Sequence, residues 1–174
     1  MIIGTIKEKK KFENRVSISP EEVKNYVKSG HQVLVEKNAG LQSGFSDKLY
    51  KEAGASMSSA KDILKSVDIL LKINCPSPDE AKQLKTSSMV ISQLNIQNEI
   101  DSIKIFNSKK VSAFSLERVP RITRAQDMDI LSSQANLAGY HAVIDAAQEF
   151  NRVLPLCMTA AGKVTPANFV VIGA

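Results

Sequence analysis

Short apolar runs rich in β-branched residues recur along the chain at Ile2 to Ile6, Gln32 to Glu36, Val67 to Ile73, Met89 to Leu94, Val111 to Leu116 and Phe169 to Ile172. Runs of this length between polar and turn-forming residues predict buried strands. The intervening segments carry helix boundaries. Ser19-Pro20-Glu21-Glu22 is a capping box with proline at the first helical position, and Gly30 stands where a left-handed residue would close the helix. Ser77-Pro78-Asp79-Glu80 repeats the design. Tyr50 to Ala53 ends at Gly54, Ser59 to Lys65 predicts a further short helix, and Asn98 to Ser108 carries Ile100, Ile103, Ile105 and Phe106.

Strand and helix therefore alternate. Parallel strands need crossover connections, so the alternation predicts an α/β fold, a doubly wound, Rossmann-like parallel sheet with helices on both faces. The longest helical pattern follows, Met128 to Phe150, with Ile130, Leu131, Leu137, Tyr140 and Ile144 on a broad apolar face. The predicted organisation is a first α/β domain over 1–127, a connecting helix over 128–150, and a linker with the first strand of a dinucleotide-binding domain over 151–174. Val171-Ile172-Gly173-Ala174 opens like a dinucleotide fingerprint, although an ordinary strand ending in a glycine turn fits as well. Because the fingerprint's remaining glycines do not follow, these 174 residues alone are expected to bind a dinucleotide weakly or not at all.

Composition narrows the classes. With 43% hydrophobic and 24% charged residues the chain is an ordinary globular sequence, not a disordered one. Cys75 and Cys157 form no C-x-x-C and have no partner at metal-ligand spacing, so neither a zinc site nor a disulfide framework is expected. No apolar run reaches the ~18 residues that would span a bilayer, so direct membrane insertion is not expected. The net charge of +5 gathers partly in Lys7, Lys9, Lys10, Lys11 and Arg15. No aromatic stripe interleaves with these lysines, which reads as a solvated loop and not as a nucleic-acid surface.

In an open parallel sheet, ligands bind beyond the carboxyl ends of the strands. Asn14-Arg15, Lys72, Gln93, Asn95 and Glu117-Arg118 are predicted there. Several cations facing one crevice would suit an anionic or carbonyl-bearing ligand; the alternative is a solvated edge on which Lys72 snorkels. The richest stretch runs from Arg118 to Asp129, with three arginines, one glutamine and two aspartates. Thr123-x-x-Gln126 fits a capping box for the long helix, and Asp127 and Asp129 complement its dipole. Arg121 and Arg124 oppose that dipole, which hints at ligand work.

Arg15-Val-Ser-Ile-Ser-Pro20, Gly40-Leu-Gln-Ser-Gly-Phe-Ser-Asp47 and, above all, Arg121-Ile-Thr-Arg-Ala-Gln-Asp-Met-Asp-Ile-Leu-Ser-Ser-Gln-Ala-Asn-Leu-Ala-Gly-Tyr140 resemble the alanine dehydrogenase and transhydrogenase family. The resemblance is greatest to the first domain of the α subunit of proton-translocating NAD(P) transhydrogenases. It implies part of an NAD(H)-binding component that exchanges hydride with NADP(H) on a partner domain. It also implies membrane and NADP-binding partners, a homodimer, and a cytoplasmic place on the inner face of the cell membrane held through those partners. By the same resemblance Arg121, Gln126, Asp129 and Ser132 contact the nicotinamide, with Asp127 and Met128 between them. Arg121 and Gln126 would position the carboxamide and Asp129 would hold Arg121.

Two alternatives stand beside this one, the substrate domain of an alanine dehydrogenase-like enzyme and a non-catalytic interaction module. The dehydrogenase pattern places a basic residue after the first strand, a lysine after the third and a histidine at the end of the fourth. Arg15 and Lys72 match, but the third position reads Ser92-Gln93-Leu94. Glutamine cannot relay a proton near neutral pH, whereas hydride exchange between two nicotinamides needs only approach and orientation.

Overall fold

The computed structural model describes residues 1–172. Its first element is the strand β1 (Ile2–Thr5), followed by α1 (Pro20–Lys28), β2 (Gln32–Glu36), α2 (Asp47–Glu52), β3 (Ser56–Ser58), α3 (Ala60–Ser66) and β4 (Ile69–Asn74). Then come α4 (Pro78–Gln83), β5 (Met89–Gln93), α5 (Ile100–Ser108) and β6 (Ser112–Ser115). The six strands form one sheet in the order β3-β2-β1-β4-β5-β6, and every pairing is parallel.

Both faces of this sheet are covered. Val33 and Val35 of β2 pack with α1 and α2 through Val23, Tyr50 and Ala53. Between them Leu34 points to the other side, into a cluster with Ile63, Leu64, Leu70, Val90 and Phe106 from α3, β4, β5 and α5. Successive side chains on a strand face opposite ways, so one apolar run supplies two cores. Tyr50 is fully buried and its hydroxyl donates to the Ile18 carbonyl at 2.8 Å, so the ring enters the core without an unpaired oxygen. The resulting sheet with helices on both faces is the doubly wound α/β class that the alternation predicts.

The cap signals act as local chemistry requires. Ser77 Oγ accepts from the Glu80 N–H while the Glu80 carboxylate accepts from the Ser77 N–H, a complete capping box. At α1 only one arm forms: Ser19 accepts from the Glu22 N–H, and the Glu22 carboxylate bonds Asn25 instead. Gly30 takes φ of +80° at the end of α1, where a side chain would be strained.

Two expectations are corrected. Strand β3 is absent from the apolar pattern because Ser56-Met57-Ser58 is a short, polar edge strand, held by backbone pairing to β2. Phe169 to Ile172 forms no strand, and Phe169, Val170, Val171 and Ile172 are all exposed. A parallel strand exists only through its neighbours, and among the described residues none pairs with this run. Gly173 and Ala174, the glycine turn expected to follow, lie outside the described residues.

The chain divides into two compact units, the first ending at Met128 and the second beginning at Asp129. In the second, α6 (Ile130–Glu149) is followed by a hairpin of β7 (Cys157–Thr159) and β8 (Gly162–Val164). The predicted apolar residues Leu137, Tyr140 and Ile144 of α6 are exposed. No helix among the described residues is long and apolar enough to cross a membrane.

Candidate functional site

The connections from β1 lead outward to β2 on one side, and the next strand in the sheet on its other side is β4. Neighbouring crossovers diverge at such a point and leave a crevice at the strands' carboxyl ends. A cleft of about 570 Å³ occupies that edge of the first unit. Lys72 and Asn74 of β4 line it, together with Gln93 and Asn95 at the end of β5. The β4–β5 register shifts between Leu71 and Asn74, so this part of β4 is bulged where it meets the cleft.

Lys72 does not snorkel, and it is not an open anion site. Its side chain is 3% exposed, and its ammonium lies 3.0 Å from Glu80 Oε2 and 3.7 Å from Glu8 Oε2. Glu80 Oε1 pairs with Lys9 at 2.9 Å. Burial pushes the Glu80 carboxyl up, but Lys72, Lys9 and the Ser77 N–H together outweigh it and hold the group below the usual carboxylate range. Glu8 also accepts from the Ile73 N–H at 2.7 Å and from Asn74 at 3.2 Å, tying the loop after β1 to the end of β4.

Arg15 is likewise engaged by a carboxylate. Its Nε and one terminal nitrogen each donate to Glu13 at 2.7 Å, a bidentate pair. The Arg15 side chain therefore holds the Glu13 carboxyl down at about 2. Glu117, in the 3₁₀ turn Leu116–Arg118 after β6, accepts from the backbone N–H groups of Leu94 and Asn95 at 3.1 and 2.7 Å. The crevice of free cations expected from the sequence is thus corrected: Lys72 and Arg15 each have a glutamate of the same chain.

Among the described residues no histidine lines the cleft, whose carboxylates are Glu8, Glu80, Glu99 and Glu117. The strand ends contribute carboxamides, Asn74, Gln93 and Asn95, which do not titrate. Burial pushes the Cys75 thiol up to about 12. His31 precedes β2, and His141 lies on α6, 3.4 Å from Asp145. Among the described residues no group of three or more histidine, cysteine, aspartate or glutamate side chains could hold a metal ion.

The segment with the richest polar sequence lies elsewhere on the surface. Thr123–Met128 forms its own 3₁₀ turn, anchored by buried Ala125, while Arg121, Gln126, Asp127 and Met128 are exposed. The capping box expected from Thr123 and Gln126 does not cap α6. Asp129 does, because helical geometry begins only at Ile130; its carboxylate accepts from the Ser132 N–H at 3.0 Å and from Ser132 Oγ at 2.6 Å. Asp129 and Ser132 are thereby brought together in the second unit. None of Arg121, Gln126, Asp127, Met128, Asp129 and Ser132 lines the cleft. Sequence reasoning left out Glu8, Glu13, Asn74 and Glu99. Only the bidentate Glu13–Arg15 pair, two positions apart, carried a local signal.

Comparison with known proteins places this geometry in a family. The model described as alanine dehydrogenase/PNT, N-terminal domain, matches residues 4–138. The chain is 40% identical over its whole length to an NAD(P) transhydrogenase subunit alpha of Haemophilus influenzae, covering 34% of that protein. It is 38% identical, again over its whole length, to an NAD(P) transhydrogenase subunit alpha of Cereibacter sphaeroides, covering 34% of it. An alanine dehydrogenase of Methanococcus maripaludis is 29% identical over 99% of the chain and 47% of that protein. Among solved structures, transhydrogenase from Sinorhizobium meliloti superimposes with a TM-score of 0.91 at 44% identity, over 96% of this chain and 50% of that one. The chain thus spans between a third and a half of the length of these relatives. With the match running from β1 into α6, the chain belongs to the alanine dehydrogenase/PNT N-terminal domain family.

Proposed function

We propose that this chain serves as the nicotinamide-positioning first domain of the NAD(H)-binding component of an NAD(P) transhydrogenase. The observation that carries this role over that of a dehydrogenase is the chemistry of the strand ends. Amine oxidation must move protons, and where the dehydrogenase pattern has a histidine at the end of the strand this chain ends β5 in Gln93, which cannot relay one. Hydride exchange between two nicotinamides asks only for position. The greater identity to transhydrogenase subunits than to the Methanococcus alanine dehydrogenase over the same span supports the same choice.

Arg121, just before the exposed turn, and Gln126 on it present guanidinium and amide donors and an amide acceptor, a set that fits the carboxamide of a nicotinamide. Asp129 would steady Arg121, and Asp127, Met128 and Ser132 would complete the contact surface. NAD(H) supplies the hydride; these side chains bind and orient. NADP(H), a membrane-spanning proton path, a second copy of the subunit and a location on the inner face of the cell membrane would come with the remaining domains and partners.

Gln126→Ala and Asp129→Asn, made in the assembled transhydrogenase, test the assignment. Asparagine retains a capping oxygen for α6, so the helix start survives. Hydride transfer should fall about tenfold or more while NADH affinity changes less than about threefold, as expected for groups acting on orientation. Unchanged turnover in both variants would remove these residues from the site.

A further inference from the structure

Among the described residues five α-helices begin at a residue whose side chain accepts a backbone N–H, and one of these starts is built differently. At α1, α2, α3 and α4 the capping residues Ser19, Ser46, Ser59 and Ser77 are extended, with ψ of 161°, 157°, 152° and 161°. Each of their carbonyls accepts from the N–H four residues on, at Val23, Tyr50, Ile63 and Ala81, and none of these has an aliphatic hydroxyl to add. Asp129, the cap of α6, has φ of −78° and ψ of 88°. Its carbonyl accepts twice from Ser133, from the N–H at 3.3 Å and from Oγ at 2.9 Å. The hydroxyl bond is the shorter, so a side chain and not only the helix ladder holds this carbonyl.

The consequence lies in the dihedral. Rotation about ψ sets the carbonyl relative to the Cα–Cβ bond, so a carbonyl locked onto Ser133 fixes the direction in which the Asp129 side chain leaves the helix start. The carboxylate at the far end of that side chain is held by the N–H and Oγ of Ser132. Two adjacent serines therefore grip Asp129 at its carbonyl and at its carboxylate. Local stability does not call for a hydroxyl at Ser133: the residue is exposed, and alanine is the better helix former.

We propose that Ser133 is a positioning residue for hydride transfer, acting through Asp129; the inference rests on the role proposed above for that carboxylate. Ser133 fixes the Asp129 backbone, and the fixed backbone aims the carboxylate at the groups that orient the nicotinamide. Displacements on the order of 1 Å in such groups can slow a reaction severely without loosening the bound ligand.

Ser133→Ala and Ser133→Thr, made in the assembled transhydrogenase beside Asp129→Asn, are the test. In Ser133→Ala the kcat for hydride transfer should fall about threefold or more while the KM for NADH stays within about twofold. Ser133→Thr should return kcat to within about twofold of wild type, because a threonine hydroxyl also reaches the carbonyl four residues back. The thermal midpoint of the Ser133→Ala chain should be unchanged or higher, which a merely structural role for the hydroxyl would not give. Wild-type kcat in Ser133→Ala with a slow Asp129→Asn would overturn the inference and leave the role of Asp129 standing. A loss that follows a lowered midpoint, or that threonine does not restore, would overturn it as well. Full activity in Asp129→Asn would instead remove the carboxylate's role, and the inference with it.

Discussion

Glu13 shows what a single residue contributes at the edge of the cleft. Its carboxyl is lowered from an ordinary 4.5 to about 2, mainly by the hydrogen bonds from Arg15. A group whose pKa is depressed on folding stabilises the native state fully above its unfolded value, and that stability is lost as pH falls toward its folded value. Stability should therefore decline as pH drops from about 4.5 toward 2. In Glu13→Gln the part of the slope belonging to this group should vanish; urea midpoints collected across that interval would show it, and an unaltered slope would deny Glu13 the role. Little of this was legible in the sequence. Arg15 and Lys72 could be seen as cations near strand ends, but their partners could not, since Glu8 meets Lys72 only after β1 and β4 pair. The Arg121 to Ser132 segment stood out in the sequence through charges read against a helix dipole, but α6 begins only at Ile130, so Arg121 and Arg124 lie outside its first turn and that conflict does not arise.

At the scale of elements, packing sets tighter limits than propensity. A Cβ built on Gly4 in β1 would lie 2.4 Å from Val67 Cγ1 and 2.7 Å from Ile63 Cγ2, so α3 rests directly on the strand's backbone. Gly4→Ala should destabilise the fold by about 1–3 kcal/mol, the cost of overpacking a filled core. Chemical denaturation would measure it, and a variant within about 0.5 kcal/mol of wild type would mean that α3 can shift freely. Five of the six strands that make the sheet announced themselves: β1, β2, β4 and β5 because a doubly covered strand must be apolar almost throughout, and β6, an exposed edge strand, through Phe114 and the flanking Val111 and Leu116. The sixth, β3, lies at an edge where backbone pairing alone suffices, and its serines left no apolar pattern to read. The reverse error, the run Phe169 to Ile172, has the pattern without a neighbouring strand among the described residues. Its composition says that it can be buried but not what it pairs with.

For the molecule as a whole, the first unit supplies a sheet, a switch-point cleft and an exposed segment with Arg121 and Gln126, and the second unit begins with Asp129 and Ser132 at the start of α6. The function assigned to this set is positional, and its central claim is that the chain serves hydride exchange between nicotinamides and not the oxidation of an amine. The direct measurement uses this chain assembled with the second dinucleotide-binding domain and the NADP-binding component of a transhydrogenase. Hydride transfer from NADH to an oxidised NADP analogue is followed beside NAD-dependent oxidation of alanine in the same preparation. The account predicts steady transfer between the nucleotides and no alanine-dependent NADH formation; alanine oxidation without nucleotide exchange would contradict it.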